Sequence, residues 1–565
     1  MEILLHKPEL PLIDFKVTIL EKKFTSSDGT TYPKTVQVYF FDAKGRKKET
    51  KEYGYVSADE LYDKIEKEQP VSLPECYVKN FSLAEFRQRK SLPEQHPVTL
   101  KKFIAKGAFF DCDAAVDFSH SVFENIKITF EGTIFGNGNI NFSHAKFGEG
   151  AVSFRRARFG EGAVDFRFAE FGAGNLSFRF AHFGVGDVLF VSTKFGGKDT
   201  DFQSVTWGEG IADFRFAKFT QGNVSFEKSL FGAGKIDFKA VEFCGERVDF
   251  KRVAWGDGDV SFEGSEFNNA KVSFRSSVFG KGDISFEEAD FGSNEVSFEY
   301  SDFYAHKVSF HKSKAMSLTF QSCRMNGYFD FRFAQCGELN LHDAVLRDII
   351  DLIPDENAIP LRMFNFSGMK NLGRIHIDWK KNHVKRLIYS QADTSLLQKA
   401  EQFRILKEEF HAVGQYLDED KAYVEYMRCE QKSLLNSQLK KNSANAVWAY
   451  PSYFFKWLIF DKMGLYATDP VRVLISMIVV YVTFSFLYCM LPQFVYAGLA
   501  CGGADNESLS YFAQSFYFSA ITFLTIGYGD CLPIGHIHWL APIEGWMGVV
   551  MMSYFTVAFV RKILR

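Results

Sequence analysis

The densest chemical signal in the chain is Thr525-Ile-Gly-Tyr-Gly-Asp530, six residues set between two apolar runs. Gly527 and Gly529 alternate with residues that carry side chains. Alternating glycines permit the positive φ values that aiming successive carbonyls one way requires. A row of carbonyl oxygens, extended by the Thr525 hydroxyl, can replace the water shell of a dehydrated cation. Glu544 is the second signal. It is a lone carboxylate in the apolar run from Trp539 to Val560, where an ionisable group is costly and needs a partner. We read it as a hydrogen-bonding brace for the 525–530 segment rather than an ion ligand. No Ser/His/Asp or metal-ligating constellation argues for an enzyme or a bound cofactor. The nine cysteines include no CxxC pair, which excludes the usual zinc and disulfide frameworks.

Three elements must position these residues. Val473–Leu491 is 19 residues without a charge. At 1.5 Å per residue it spans about 28 Å, close to the ~30 Å of a bilayer core. Trp539–Val560 is a second span. Between them, Tyr511–Phe523 is too short to cross and reads as a re-entrant helix over about 510–522. Arg472 precedes the first span, Arg561, Lys562 and Arg565 follow the second, and Asp505 and Glu507 lie between. The positive-inside rule therefore places both chain ends in the cytoplasm. The segment from Met1 to Pro8 has no basic n-region, so no signal peptide is expected, and most cysteines fall in a reducing compartment. Neither span carries regularly spaced arginines, so intrinsic voltage sensing is not expected.

The order of span, short helix, T-I-G-Y-G-D and span resembles the two-transmembrane tetrameric potassium channels, whose filter reads T-(V/I)-G-Y-G-D. The resemblance covers residues 456–565 and implies passive, potassium-selective conduction, with K+ the permeant ion rather than a cofactor. It implies K+ held by the carbonyls of Thr525, Ile526, Gly527 and Tyr528 and by the Thr525 hydroxyl. Gly529 completes the filter, Tyr528 packs behind it and Asp530 sits at the outer mouth. The short helix points its negative C-terminal end at the cavity. One chain supplies a quarter of such a filter, so a homotetramer in membrane lipid follows. Glu-Gly pairs like Glu544-Gly545 occur in bacterial channels of this type. Gly548 is a candidate gating hinge, with close helix packing the alternative. Cys501 and Cys531 both face outside and can pair.

Composition points to a second structure. Phe accounts for 63 of 565 residues, about three times ordinary usage. From Phe118 to Phe310, Phe recurs every 12 residues for sixteen steps, with a second aromatic five residues after each from Phe123 to Phe303. The unit is F-x4-F-G-x-G-x-(V/I/L)-x-F, two strand-like pieces and a glycine turn. The glycines, such as Gly172 and Gly174, suit positive φ or close backbone approach. A 12-residue unit cannot bury its Phe alone, but stacked units can. The pattern resembles the pentapeptide-repeat family, stretched from 5+5 to 5+7. That resemblance implies a right-handed β-helix with 24 residues per coil, roughly 40 Å long at ~4.8 Å per coil. After Phe310 the spacing slips, as expected of a closing end.

Lys+Arg (66) and Asp+Glu (69) nearly cancel. Charges beside the repeat Phe have both signs, for example Arg155, Arg167 and Arg275 against Glu131, Glu227 and Glu299. Neither a strongly basic nucleic-acid binder nor an acidic DNA mimic is indicated, so no nucleic-acid partner is expected. Residues 1–100 read as a small α+β cap, with strands at Lys16–Leu20 and Thr35–Phe41 and a helix start at Ser57. Residues 347–455 read as a helical linker, with Leu396, Ala400, Phe403 and Phe410 on one face and Gly414 as a stop. The expected organisation is a multidomain chain: cap (1–100), cytoplasmic β-solenoid (101–346), helical hairpin (347–455) and all-α pore domain (456–565). A potassium channel is the leading reading. The alternative is a membrane-anchored solenoid scaffold with a non-selective or vestigial pore. A third possibility is that the solenoid regulates gating through a cytoplasmic ligand or protein.

Overall fold

The computed structural model describes residues 14–42, 44–124, 127–356, 358–359, 361–441, 446–502 and 510–564. Asp505, Glu507, Arg565 and the Met1–Pro8 segment lie outside the described residues. The chain divides into two units, residues 1–392 and 393–565.

The first unit opens with an antiparallel meander. Asp14–Leu20 pairs with Thr35–Phe41, and that strand with Lys47–Val56. Two short helices come next, α1 (Ala58–Glu66) and α2 (Leu83–Arg89). The hydroxyls of Ser57 and Ser82 accept the N–H groups of Glu60 and Glu85, as N-caps do. The last strand of the meander also starts a parallel stack. Gly54–Val56 pairs in parallel with Cys76–Val78, and Tyr77–Lys79 with Phe109–Asp111. Parallel stacking thus begins near residue 54, inside the segment expected to be a separate cap.

From there the chain is a parallel β-solenoid that runs to His376. Phe123 sits opposite Phe147, which sits opposite Phe171, and the same 24-residue step continues through Phe195, Phe219 and Phe243. Each coil is therefore two 12-residue units. Inside, Phe118, Phe142, Phe166 and Phe190 stack face to face at 4.8–4.9 Å, the spacing of hydrogen-bonded strands. Phe118 also meets the opposite column edge-on, with Phe130 at 5.6 Å and 85°. Burial of each ring contributes about 1.5–3 kcal/mol, and none can be buried without the next coil. Buried hydroxyls close the remaining gaps. Ser229 donates to the Phe202 carbonyl at 2.6 Å and Ser277 to the Phe250 carbonyl at 2.7 Å.

The paired glycines serve close approach. A Cβ on Gly174 would stand 2.1 Å from the Gly150 carbonyl oxygen one coil away. Apart from Gly256 at 69°, positive φ falls not on the paired glycines but on the corner residue two places after each repeat Phe, including Arg156, Phe168, Phe180 and Ser192 at 55–59°. After Phe310 the solenoid does not close. The step shortens to 22 residues between Val296 and Leu318 and 21 between Leu318 and Leu339, then lengthens to 25 at Phe364. Residues up to His376, expected to lie in the helical linker, are further rungs because Phe364, Phe366 and Ile375 keep filling the interior. The short helix α3 (Val384–Tyr389) ends this unit.

The second unit is helical. In α4 (Leu396–Ala412), Ser395 and Gln398 form a reciprocal capping box. Gly414, at φ 75°, turns the chain into α5 (Tyr416–Lys441), and α4 packs along α5 as the expected hairpin. Then come α6 (Ala446–Lys456), a π-turn at Trp457–Lys462, and α7 (Pro470–Met490), N-capped by Asp469. α8 (Tyr511–Phe523) is N-capped by Ser510, and α9 (Leu540–Ile563) completes the chain. Pro470–Gln493 and His536–Ile563 are long and apolar enough to cross a membrane.

Candidate ion-conduction site

The site is built where α8 stops. Its last turn ends at Leu524, and the chain leaves with positive φ at Thr525 (54°), Gly527 (59°) and Gly529 (79°). Left-handed residues alternating with Ile526 and Tyr528 make a backbone that can turn successive carbonyls toward one side, which an extended strand cannot. Gly527 and Gly529 supply this at little cost, while Thr525 adopts it against the preference of a β-branched residue. The segment is anchored at its base. The N–H of Ile526 donates to the Ile521 carbonyl at 2.9 Å, and that of Thr525 to the Thr522 carbonyl at 3.1 Å. The Thr525 hydroxyl donates to the Leu524 carbonyl at 2.7 Å.

The outer end is held from two sides. The Tyr517 hydroxyl on α8 donates to Asp530 Oδ2 at 2.6 Å, and the Gly502 N–H donates to the Asp530 carbonyl at 2.8 Å. The residues after the motif form a strand, Cys531–Gly535, paired antiparallel with Ala497–Cys501. A disulfide joins Cys501 to Cys531 at the end of that ladder. Tyr528, expected to pack behind the segment, is 71% exposed in the single chain, so its own subunit provides no bracing for it.

Behind the segment lies Glu544, fully buried. Its Oε2 accepts from the Tyr488 hydroxyl of α7 at 2.8 Å, and its Oε1 accepts from the Ser519 hydroxyl of α8. The carboxyl group therefore ties all three helices together through two hydrogen bonds. Gly548 touches the same region: a Cβ there would stand 1.9 Å from the Phe523 carbonyl oxygen. Close packing against the end of α8 requires glycine at this position. Sequence reasoning found the motif, Glu544 and Gly548. It missed Tyr488, Ser519 and Tyr517, whose only signal was a hydroxyl within an apolar helix.

Residues 476–565 match the family described as ion channel. Protein LctB of Bacillus caldotenax is 42% identical to this chain over 48 residues, which are 8% of this chain and 36% of that protein. The chain thus spans little more than a third of that relative's length. No solved structure matches the chain. Two apolar spans, a short helix between them and this match define the C-terminal part as an ion-channel domain of an integral membrane protein, preceded by a β-solenoid.

Proposed function

We propose that the chain is one subunit of a homotetrameric, potassium-selective channel. The carbonyls of Thr525, Ile526, Gly527 and Tyr528 and the Thr525 hydroxyl hold K+, and Gly529 completes the filter. The observation that carries this reading is the alternation of positive φ at Thr525, Gly527 and Gly529 directly after α8. Four such segments around one axis give rings of oxygens at the depth where a K+ ion sheds its water. α8 ends at the base of the filter, so its negative C-terminal end favours a cation there. Asp530 takes the outer mouth, and Glu544 holds the filter's support. Both chain ends lie in the cytoplasm, and the solenoid acts there as a regulatory or docking element.

The test is flux through purified protein in liposomes with opposed K+ and Na+ gradients. The expected reversal potential lies near the K+ value and disappears in Gly527→Ala, which strains a residue at φ 59°. A current carried equally by Na+ overturns the reading.

A further inference from the structure

The cytoplasmic end of α9 is gripped by the helical hairpin of the same chain. Asp420 of α5, 7% exposed, receives Arg561 at 3.2 Å and Lys562 at 3.4 Å. The Arg561 guanidinium also lies over the Tyr423 ring, 4.4 Å from its centroid. These two cations are the ones the sequence assigns to membrane orientation. In the structure they also bind a buried carboxylate, and a buried charge left without its partner is costly.

A second set of contacts secures the same place. Leu465, Tyr466 and Ala467 take three consecutive left-handed conformations (φ 47°, 57° and 62°), which side-chain-bearing residues adopt only when their surroundings impose them. Here the surroundings are α5 and α9. The Tyr554 hydroxyl of α9 accepts the Ala467 N–H at 2.8 Å, and the Tyr466 hydroxyl donates to Gln431 of α5 at 3.2 Å. One turn along, Arg428 of α5 grips Asp461 at 2.6 Å. The turn before α7, the hairpin and the end of α9 are thus stitched into one body.

We propose that Asp420 is a positioning residue for gating: it holds the end of α9 off the pore axis and favours the open channel. This role rests on the channel reading. The direction follows from the faces of α9. Trp546, Val549 and Val557 are exposed in their own chain, which leaves them for the axis or a neighbouring subunit. Tyr554, Ala558 and Arg561 lie about a quarter turn away, on the side packed against α5, α7 and the left-handed turn. A grip on that side draws the helix end toward its own subunit. Releasing it lets the four ends converge, a shift between two packings that a single ion pair can bias.

The experiment uses the full chain in liposomes, with single-channel recording and hydrogen exchange of residues 557–564. Asp420→Asn should lower open probability at least fivefold, speed exchange in that segment and leave the K+/Na+ reversal potential unchanged. Asp420→Glu should retain most of the activity. The charge swap Asp420→Arg with Arg561→Asp should recover at least half of what either single change loses, which a merely structural role would not do. Arg561→Gln is the second variant should Asp420→Asn fail to assemble. Open probability within twofold of the parent, or a swap no better than its singles, overturns the proposal. A parent protein that carries no K+ current removes the channel reading and the clamp with it, whereas a conducting parent with indifferent variants removes the clamp alone.

Discussion

Tyr488 and Glu544 stand 56 positions apart, yet the tyrosine hydroxyl donates to the buried carboxylate at 2.8 Å. With Ser519 on the other oxygen, the pair fixes α7, α8 and α9 at one point behind the 525–530 segment. Neither oxygen depends on water, which a membrane-embedded support cannot count on.

Removing either partner leaves the other buried without its hydrogen bond. Tyr488→Phe should therefore lower the stability of the assembled protein by about 1–3 kcal/mol. Glu544→Ala should cost more, since it strips the Tyr488 hydroxyl of its acceptor and leaves Ser519 only the Tyr481 carbonyl at 3.2 Å. Thermal unfolding of the protein in detergent reads both. Equal melting of Tyr488→Phe and the parent would show that the bond contributes nothing net.

Gly548 separates two roles that predict different failures. The 1.9 Å approach of a Cβ to the Phe523 carbonyl means that Gly548→Ala must push α8 and α9 apart. We expect loss of assembled, conducting protein. A hinge would give assembled channels with altered opening rates, so gel filtration alongside recording distinguishes the two.

The disulfide between Cys501 and Cys531 begins one residue beyond Asp530 and closes a 30-residue separation. Cross-links of this length typically contribute about 2–4 kcal/mol. Reductant on the outer face, or Cys501→Ser with Cys531→Ser, should loosen the 497–501/531–535 ladder and the Asp530 carbonyl bonded beside it. The expected outcome is a lower K+ over Na+ preference in bi-ionic recording. Identical reversal potentials before and after reduction would confine the bridge to outer-loop stability.

The 525–530 segment stood out in the sequence because its pattern is local: two glycines, a threonine and an aspartate within six residues. The 24-residue coil was legible because Phe spacing survives as strand register. The corner residues were not, since glycine was expected to take the positive φ. Phe168 takes it instead, held by its N–H on the Val191 carbonyl and its ring on His144 at 4.9 Å. Tertiary context overrode local preference there. The rungs beyond residue 346 were hidden because, after steps of 22 and 21 residues, the step lengthens to 25 between Leu339 and Phe364. Asp420 carried no signal of its own, because one acid in the run Asp418-Glu419-Asp420 becomes informative only when α9 arrives beside it.

The interior and corner positions of the solenoid give the last prediction, on neighbouring residues of one coil. Phe214 is fully buried, stacked between Phe190 at 4.9 Å and Phe238 at 4.7 Å, while Phe216 is 52% exposed. Phe214→Ala should cost about 3–5 kcal/mol as a cavity that neighbouring rings cannot fill. Phe216→Ala should stay within about 0.5 kcal/mol. Because each coil is stabilised by its neighbours, the first change should speed hydrogen exchange in the strands around residues 188–189 and 236–237 while leaving α9 untouched. Uniform protection across those strands in Phe214→Ala would mean that the ring column is redundant. The hydrogen-bonded ladders alone would then hold the rod together.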